Sequence, residues 1–579
     1  MKYELDGFNV STKTENKIKS ENIEMLSCGE IGVYKLTVEF ENEESPRPYE
    51  LSFFEKQIDI IGYYTTKSSL GHNITPDWYM RENTSKTASG VPLMCFYSKK
   101  NINQLLISLS DVKTPIKISA GVCEEDGTVS VKINLFDALT APVSKYEMLI
   151  RIDRRKIPIY EAVPDARKWW SSLGNELAYV PKNASLPMYS TWYSFHQNTI
   201  SSEIIEQCKI AKEYGMDSVI VDDGWQTDDN SRGYGYCGDW EVCKTKIPDM
   251  KEFVQAIHSL GMKFIIWFSV PFVGYYSKSF ERFKGMYLTD RKHMNACVLD
   301  PRFKEVREFL IDTYVSNVKK YGWDGLKLDF IDSFRQCEES STDYEKMDTV
   351  SVEDAVEMLL SELTSRLKKI NPEFLIEFRQ SYIGPVVCRY GNMLRATDCP
   401  NDALSNRVST VSLRLTSDKI PVHSDMLMWN KSDTDESVMN QLLSVMFSVP
   451  QISIRFESIS DNHKRLLKAF LDFWRENREI ILNGKISFEG AEANYTMVKS
   501  ENSEGSVVVL YQNVDYSLNE KEADIFNISG KDYIVIDTMY NYEYICYDMY
   551  GEKEAIGKIE KGICKLSLKN GSRVRLTRK

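Results

Sequence analysis

The sequence predicts a central (β/α)8 TIM barrel flanked by an N-terminal β-sandwich and a C-terminal antiparallel β domain, itself a small β-sandwich. Three observations over the 579 residues indicate this order. Residues 1–165 read as strands with turn residues between them, and residues 166–485 alternate short apolar runs with helical patterns. Residues 486–579 return to strands. Regular β-then-α alternation is typical of a parallel sheet covered by helices.

The alternating region favours a closed barrel over a doubly wound sheet. A doubly wound sheet reverses its strand order and commonly carries a glycine-rich phosphate loop, which is absent here. Helical stretches such as 201–215 and 352–370 separate the strands, and the last helix is expected over about 461–482. The eight predicted strands are Pro187–Phe195, Asp217–Asp222, Lys263–Phe268, Gly325–Phe330, Phe374–Arg379, Met393–Asp398, Val422–Met426 and Ile452–Phe456.

The two flanking regions contain strand-like runs and few helical patterns. In the first region these runs lie at 33–42, 49–65 and 129–137, and the first helical stretch is expected near 165–173. In the last region they lie at 506–514, 532–540 and 542–551. Their alternation of apolar and polar residues indicates sheets with one buried face.

Composition excludes several classes of protein. The formal net charge of −12 disfavours nucleic acid and anionic membranes as partners, and the longest apolar run is too short to span a bilayer. The first 20 residues contain no apolar signal segment, and the 12 cysteines form no CxxC pair. We therefore expect a cytoplasmic protein with reduced thiols, no metal and no cofactor; homo-oligomerisation stays open.

Strand four supplies the first catalytic candidate. Because side chains alternate along a strand, Lys327 and Asp329 share one face, and the apolar residues between them share the other. The apolar face must pack under the helices, so the two charged residues point into the barrel, whose active site lies at the C-terminal strand ends. An adjacent cation lowers the pKa of a carboxyl group and keeps it ionised, as a nucleophile requires. A structural ion pair is the alternative.

Strand six supplies the second candidate. Asp398 ends this strand before a proline turn, which places it at the rim. Two carboxylates about 5–5.5 Å apart across a glycosidic bond define a retaining glycosidase. Asp329 would then attack the anomeric carbon, and Asp398 would serve as acid and base. Alternatively, Asp398 caps the following helix; Asp402 competes with it for both roles.

Polar and aromatic residues end five further strands, all facing the same mouth. Adjacent carboxylates suit bidentate hydrogen bonds to vicinal hydroxyl groups, and an inward indole suits an apolar sugar face. Core packing, a turn with a helix cap, or a satisfied buried histidine are the structural alternatives. These candidate substrate-binding residues are Asp222 and Asp223 on strand two, Trp267 on strand three, Arg379 on strand five, His423 and Asp425 on strand seven, and Trp192 on strand one.

At this point the sequence resembles the α-galactosidases, or melibiases, of glycoside hydrolase family 36, whose clan includes families 27 and 31. The resemblance implies Asp329 as nucleophile, Asp398 as acid/base, and the pair at 222–223 as ligands of the sugar's O4 and O6 region. It also implies an α-linked substrate, net retention, and a sugar subsite lined by Trp267 and Lys327. The motifs that carry it are VDDGW at 221–225, GDW at 238–240, GMKF at 261–264 leading to Trp267, and K-x-D at 327–329.

Two segments depart from the family pattern. The acid/base segment usually reads S-D-x-T-D-x-x-x-R; here it reads TDCPND at 397–402, and Arg407, farther on, is the candidate for its arginine and for a substrate-binding role. After strand five, where the family often has a cysteine followed by glycines, this chain has Arg379, as in family 31. Arg379 and His423 leave open a sugar with a 2-acetamido or negatively charged substituent.

The sequence as a whole predicts a retaining exo-acting α-glycosidase that acts on a small oligosaccharide or glycoside, with α-galactose as the expected sugar. Three alternatives stay open. One is an α-N-acetylgalactosaminidase or other α-hexosidase, another is a transglycosylase similar to raffinose synthase, and the third is a non-catalytic sugar-binding barrel.

Overall fold

The computed structural model describes residues 2–5, 8–56, 59–67 and 70–579. Gln57 and Ile58, in the predicted run at 49–65, lie outside the described residues; that run forms the strands Tyr49–Lys56 and Gly62–Tyr64. Across the described part of the chain, every helix is too short or too polar to span a lipid bilayer.

The N-terminal region consists of two facing sheets whose inner residues form one apolar core. Ile31–Glu44 shows why: its residues alternate between buried and half-buried over ten positions, as one buried sheet face requires. In spatial order, the described strands of the first sheet are Lys2–Leu5, Phe8–Thr14, Tyr49–Lys56, Thr128–Leu135, Ile116–Val122 and Arg81–Ser85, and those of the second are Ile18–Ser27, Ile31–Glu44, Val143–Asp153, Asn103–Leu109, Leu93–Tyr97 and Gly62–Tyr64.

Eight parallel strands form the barrel predicted from the sequence, all within residues 70–579. Neighbouring strands pair in chain order, and β8 pairs with β1. Two bridges, His423 with Val449 and Leu427 with Ile452, link the seventh strand to the eighth and nearly close the barrel. The strands are β1 Met188–Ser190, β2 Ser218–Val221, β3 Lys263–Ser269, β4 Gly325–Asp329, β5 Leu375–Arg379, β6 Met393–Arg395, β7 Val422–His423 and β8 Gln451–Ile452.

Helices cover the barrel, and several begin at a residue that caps the first free backbone N–H groups. Asp249, Ser351, Asp402, Thr434 and Ser460 accept such hydrogen bonds at five helices. The α-helices described are Ile159–Ser172, Trp192–Phe195, Ser201–Glu213, Met250–Ser259, Lys278–Arg282, Lys304–Tyr321, Val352–Ile370, Ala403–Ser417, Asp435–Ser444 and Asp461–Glu476, and a π-helical turn follows at Glu479–Asn483.

Four barrel strands, β1, β6, β7 and β8, end several residues earlier than the sequence predicts, and two further features around the barrel also differ from the prediction. The first helix begins at Ile159, earlier than expected, and contains Pro164. A small antiparallel sheet of Phe272–Gly274, Tyr287–Arg291 and Ala296–Leu299 lies between β3 and the next long helix, where the sequence analysis identified no strand.

The C-terminal region is a second pair of sheets with its own core. It is not wholly antiparallel: Ser506–Leu510 runs parallel to Glu522–Asn527, and Asp515–Leu518 runs parallel to Tyr533–Thr538. The larger sheet contains Lys485–Glu489, Met497–Glu501, Ser506–Leu510, Glu522–Asn527, Arg573–Arg578, Tyr542–Tyr547 and Lys553–Ile559, and the smaller contains Asp515–Leu518, Tyr533–Thr538 and Gly562–Ser567.

The core of the barrel continues into both flanking regions. Leu93 and Leu106 of the N-terminal sheets and Val498 and Val507 of the C-terminal sheets belong to the same apolar cluster as the barrel strands and helices. The sheets are therefore fixed against the barrel by buried apolar contact, which positions their loops relative to the barrel mouth.

Candidate active site

Asp329 ends β4 and lies almost buried in the barrel mouth, with 8% of its side chain exposed. Its Oδ1 accepts hydrogen bonds from the backbone N–H of Phe330 (2.8 Å), from Arg379 Nε (2.9 Å) and from the Tyr382 hydroxyl. Its Oδ2 accepts one, from the Trp267 indole N–H at 2.9 Å. Oδ1 is thus saturated with donors, and Oδ2 keeps an available lone pair.

Asp329 is held as a carboxylate although it is buried. Burial raises the pKa of the group, but the charges of Arg379 and Lys327 and the hydrogen bonds from Tyr382 and Trp267 outweigh it, so the pKa lies below its usual value. An ionised carboxylate whose Oδ2 keeps an available lone pair is chemically suited to attack an electrophilic carbon.

The residue after Asp329 shapes the wall of the mouth. Phe330 adopts a left-handed backbone conformation, with φ of 62°, which is uncommon for a bulky residue. Its ring lies edge-on to Tyr234, and its face meets the Arg379 guanidinium at 5.4 Å. The rings of Tyr234 and Trp267 lie nearly parallel, 6.3 Å apart. These rings form an apolar wall beside the carboxylate.

The two carboxylates at the end of β2, Asp222 and Asp223, have different bonding partners. Asp222 forms a buried ion pair with Lys327, 2.6 Å from Oδ2 to Nζ. Asp223 accepts hydrogen bonds from Gln197 (2.6 Å) and Gln226 (2.7 Å), and burial raises its pKa to about 6. The turn that presents both requires Gly224, because a Cβ there would lie 2.2 Å from the Gln197 carbonyl oxygen.

Asp398 lies at the rim, with 45% of its side chain exposed. Arg395 donates to its Oδ1 at 2.7 Å, and Arg379 Nη1 lies 3.9 Å from its Oδ2. Burial opposes ionisation, but Arg395, Arg379 and Lys327 outweigh it and hold the pKa of Asp398 below its usual value. Because Arg379 also donates to Asp329, one guanidinium contacts both candidate catalytic carboxylates.

Asp425 does not present a free carboxylate to the mouth, contrary to the predicted substrate contact. It is fully buried, pairs with Arg395, and accepts hydrogen bonds from the Tyr193 hydroxyl (2.8 Å) and from the Cys399 backbone N–H (2.7 Å). Burial raises its pKa. Since it fixes Arg395 and the residue after Asp398, Asp425 positions the rim carboxylate.

Two further predicted substrate ligands lie away from the mouth. His423 is fully buried and contacts the Ala184 carbonyl oxygen, 2.8 Å from its Nε2, in the turn before β1; burial lowers its pKa to about 4. It is a satisfied core histidine. Arg407 lies on the helix after β6, and its guanidinium packs 4.0 Å from the ring of Tyr511 in the C-terminal region.

Trp192 follows β1 instead of ending it. It begins a short helix, is partly exposed, and packs edge-on against His196 at 5.1 Å between ring centres.

Asp402, the alternative acid, accepts from the Ser405 backbone N–H and caps the next helix. Asp239, from the GDW motif, caps the short helix at Lys278–Arg282 by accepting from the N–H groups of Lys278 and Ser279.

The structure therefore brings seven of the predicted residues together at the mouth: Asp222, Asp223, Trp267, Lys327, Asp329, Arg379 and Asp398. Sequence reasoning missed Tyr382, Tyr234, Arg395 and Gln197. Arg395 carried a detectable signal, because it lies on the inward face of β6 by the same period of two that identified Lys327 and Asp329. The others lie on loops, where no periodicity operates. Within the described residues, no group of three or more His, Cys, Asp and Glu side chains is arranged to hold a metal ion.

The N-terminal region reaches the mouth through two segments. Gln380, next to Arg379, donates to the Thr66 carbonyl oxygen, and its side-chain oxygen accepts from the Thr397 backbone N–H at 3.2 Å. Gly90 donates its N–H to the Ser381 carbonyl oxygen at 2.8 Å. The segment before Asp398 is thus joined through one side chain to the N-terminal sheets.

The family model and the curated relatives that match this chain point to the same family. Residues 184–395 match the family model described as Melibiase. An α-galactosidase of Lactobacillus acidophilus is 30% identical over 151 residues, which are 24% of this chain and 19% of that protein. An α-galactosidase of Geobacillus stearothermophilus is 27% identical over 137 residues, 22% of this chain and 18% of its own length. The matched stretches thus span about a fifth of these curated relatives.

Solved structures extend the similarity to the whole fold. A glycoside hydrolase family 36 α-galactosidase of Geobacillus stearothermophilus, in complex with stachyose, superposes with a TM-score of 0.66 and 13% identity, over 99% of this chain and 82% of that chain. An α-galactosidase of Lactobacillus brevis gives 0.63 and 14%, over 99% and 87%. At these identities the likeness establishes the order of sandwich, barrel and sandwich.

Proposed function

Because residues 184–395 match the melibiase family model and the chain has the fold of glycoside hydrolase family 36 α-galactosidases, we propose that the protein is a retaining, exo-acting α-galactosidase. The observation that carries the proposal is the pair of carboxylates, Asp329 and Asp398, which both contact the Arg379 guanidinium near the C-terminal ends of β4 and β6. The partial alignments to proteins named as α-galactosidases support galactose as the sugar.

In the first step, Asp329 Oδ2 attacks the anomeric carbon while the bond to the leaving oxygen breaks. A β-linked glycosyl ester forms, and Asp398 gives its proton to the departing oxygen. In the second step, Asp398 takes a proton from water, whose oxygen displaces Asp329 from the anomeric carbon. The product keeps the α configuration because two inversions cancel.

The protonation of Asp398 requires a change on substrate binding. The free site holds it as a carboxylate, which suits the second step but not the first. A bound glycoside covers the rim and excludes water from this 45% exposed side chain, and such desolvation raises the pKa of a carboxyl group. Substrate binding thus drives Asp398 toward the acid form.

The sugar contacts follow from the groups left available. Asp222 and Asp223 present carboxylate oxygens to the O4 and O6 hydroxyls, and Trp267 with Tyr234 gives the apolar wall for a pyranose face. Arg379 is engaged with Asp329 and Asp398, which leaves it poorly placed to receive a charged substituent of the sugar. The two proposed steps need no cofactor. The proposed location of the protein is the cytoplasm.

A panel of nitrophenyl α- and β-glycosides tests the proposal: galactoside, N-acetylgalactosaminide, glucoside and xyloside. We expect release from the α-galactoside, with α-galactose as the first product seen by proton NMR. Preference for the N-acetylgalactosaminide would favour that alternative. Release of β-galactose first, or no release from any α-glycoside, would overturn the proposal. Product analysis at high sugar concentration separates hydrolysis from transglycosylation.

A further inference from the structure

Two adjoining cavities lie beside the candidate active site, between the barrel and the N-terminal sheets. The inner one, of about 410 Å³, is lined by Thr397, which precedes Asp398, and by Gln380, which follows Arg379. The outer one, of about 320 Å³, is lined by Asp332, three residues after Asp329. Because Thr84 and Ser89 line both, the two cavities adjoin; together they are called the groove here, and its inner end is lined by the residue before the rim carboxylate.

The inner cavity is lined mainly by hydroxyl and amide groups. Thr66, Thr84, Ser89, Ser381 and Thr397 contribute to it. Such groups hydrogen-bond sugar hydroxyls in either direction, because each hydroxyl both donates and accepts. A volume of about 410 Å³ falls within the range of small-ligand pockets and accommodates a single sugar ring.

The outer cavity is rich in cations, although the whole chain is acidic. Lys86, Arg291 and Arg335 line it. Neither Arg291 nor Arg335 forms an ion pair with a carboxylate in the described part of the chain, so both guanidinium groups are available. Lys86 donates to the carbonyl oxygens of residues 332 and 334, which holds it in place.

The two carboxylates in the outer cavity do not cancel this charge. Asp137 is neutralised by Lys117, 3.1 Å away. Asp332 accepts from the Ser381 hydroxyl at 3.2 Å and is subject to the positive charges of Arg379 and Lys86, which offset its own charge. Two free arginines in a concave site favour a planar or tetrahedral anion, which they bind with paired N–H donors.

We propose that this groove binds the part of the substrate beyond the cleaved galactose, and that the second sugar of this part carries a negative charge. The inference rests on the proposed function and names its substrate class: α-galactosides whose aglycone contains an acidic sugar. The first aglycone sugar occupies the hydroxyl-lined inner cavity. The carboxylate or sulfate of the next sugar contacts Arg291 and Arg335.

The experiment compares three trisaccharides with a terminal α-galactose and a neutral middle sugar, which end in glucose, glucuronic acid or glucose 6-sulfate. We expect kcat/KM to be about tenfold higher for the two acidic trisaccharides, mainly through KM, and the advantage to shrink in 0.5 M NaCl because salt screens exposed charges. Preference for only one acidic trisaccharide identifies the anion and supports the proposal. Equal kcat/KM for all three overturns it.

Variants assign the preference to the groove. In the double variant R291Q/R335Q, the ratio of acidic to neutral kcat/KM should fall to about one. Lys369→Gln, an exposed lysine on the outer helix Val352–Ile370, removes a positive charge elsewhere and should keep the ratio. A ratio retained in R291Q/R335Q, or lost equally in both variants, contradicts the assignment.

Two readouts separate this proposal from the proposed function. Nitrophenyl α-galactoside has no second aglycone sugar, so its hydrolysis tests the active site alone. Turnover of this compound without an acidic preference refutes the groove only. If no glycoside is cleaved, calorimetric binding of the same trisaccharides to the intact protein still decides: tighter binding of the acidic ones supports the groove, and equal binding refutes it.

Discussion

Lys327 forms its ion pair with Asp222, at 2.6 Å across two strands, and not with Asp329, its neighbour on β4. The cation in direct contact with Asp329 is Arg379, from β5. Lys327 still lowers the pKa of Asp329 through space. The nucleophile candidate thus depends on residues of three strands for its charge state.

Replacing Asp329 with Asn should reduce kcat/KM on α-galactosides by about 10⁴-fold, because an amide cannot form the glycosyl ester. The fold should persist, since Asn keeps the size and an acceptor for Trp267. Azide should partly restore turnover and give a β-galactosyl azide, detectable by NMR. Near-normal rates in this variant would refute the nucleophile assignment.

Replacing Asp398 with Ala should reduce hydrolysis of sugar leaving groups by about 10³-fold and affect activated aryl galactosides much less, because acidic phenols depart without a proton. Steady-state kinetics over a series of substituted phenyl galactosides measures the difference. Asp402→Asn is the matched control: Asn also caps helices, so activity should be unchanged. Equal losses for all leaving groups in the Asp398 variant would contradict its acid role.

Replacing Arg379 with Gln should raise the pKa of Asp329, since the guanidinium that favours its ionised form is removed. Asp329 must be ionised to attack, so the acid limb of the kcat/KM profile should move to higher pH. The kcat should fall for every α-glycoside that the enzyme accepts. A change confined to preference among C2-modified sugars, with the pH profile unmoved, would instead place Arg379 on the substrate.

Replacing His423 with Ala should lower the free energy of unfolding by about 2–4 kcal/mol and leave KM unchanged, because the imidazole is a buried core group. Its pKa of about 4 lies below the unfolded value, so the unfolded chain binds the proton first on acidification. This residue therefore reduces wild-type stability as the pH falls from about 6.5 to 4, a contribution the variant lacks. Denaturant titrations at several pH values measure both effects; a raised KM would return His423 to the sugar site.

The sequence predicted the barrel well because each strand is a short apolar run bounded by turn residues. Strand β4 differs from its prediction by one residue, and Asp329 and Lys327 face inward as period-two alternation requires. Prediction of the strand ends was weaker for β6 and β7, which have only 3 and 2 residues. Strand β6 ends at Arg395 and β7 at His423, so residues assigned to strand ends lie on loops or deeper in the barrel.

Contacts between segments that are distant in the sequence could not be predicted, because they produce no local sequence pattern. Tyr382 reaches Asp329 through the loop after β5, and Gln380 joins the N-terminal sheets to the segment before Asp398. Arg407 was assigned by motif spacing, yet packing against Tyr511 decides its position. Such pairings depend on the assembled domains, which periodicity and spacing along one segment do not describe.

The shared apolar cluster that joins the barrel to both flanking sheets has a consequence for how this chain loses its structure. Removing either sandwich would expose to water the large apolar surfaces of the barrel helices that it now covers. Heating should accordingly melt all three regions together, in a single cooperative calorimetric peak, and an isolated barrel fragment should aggregate.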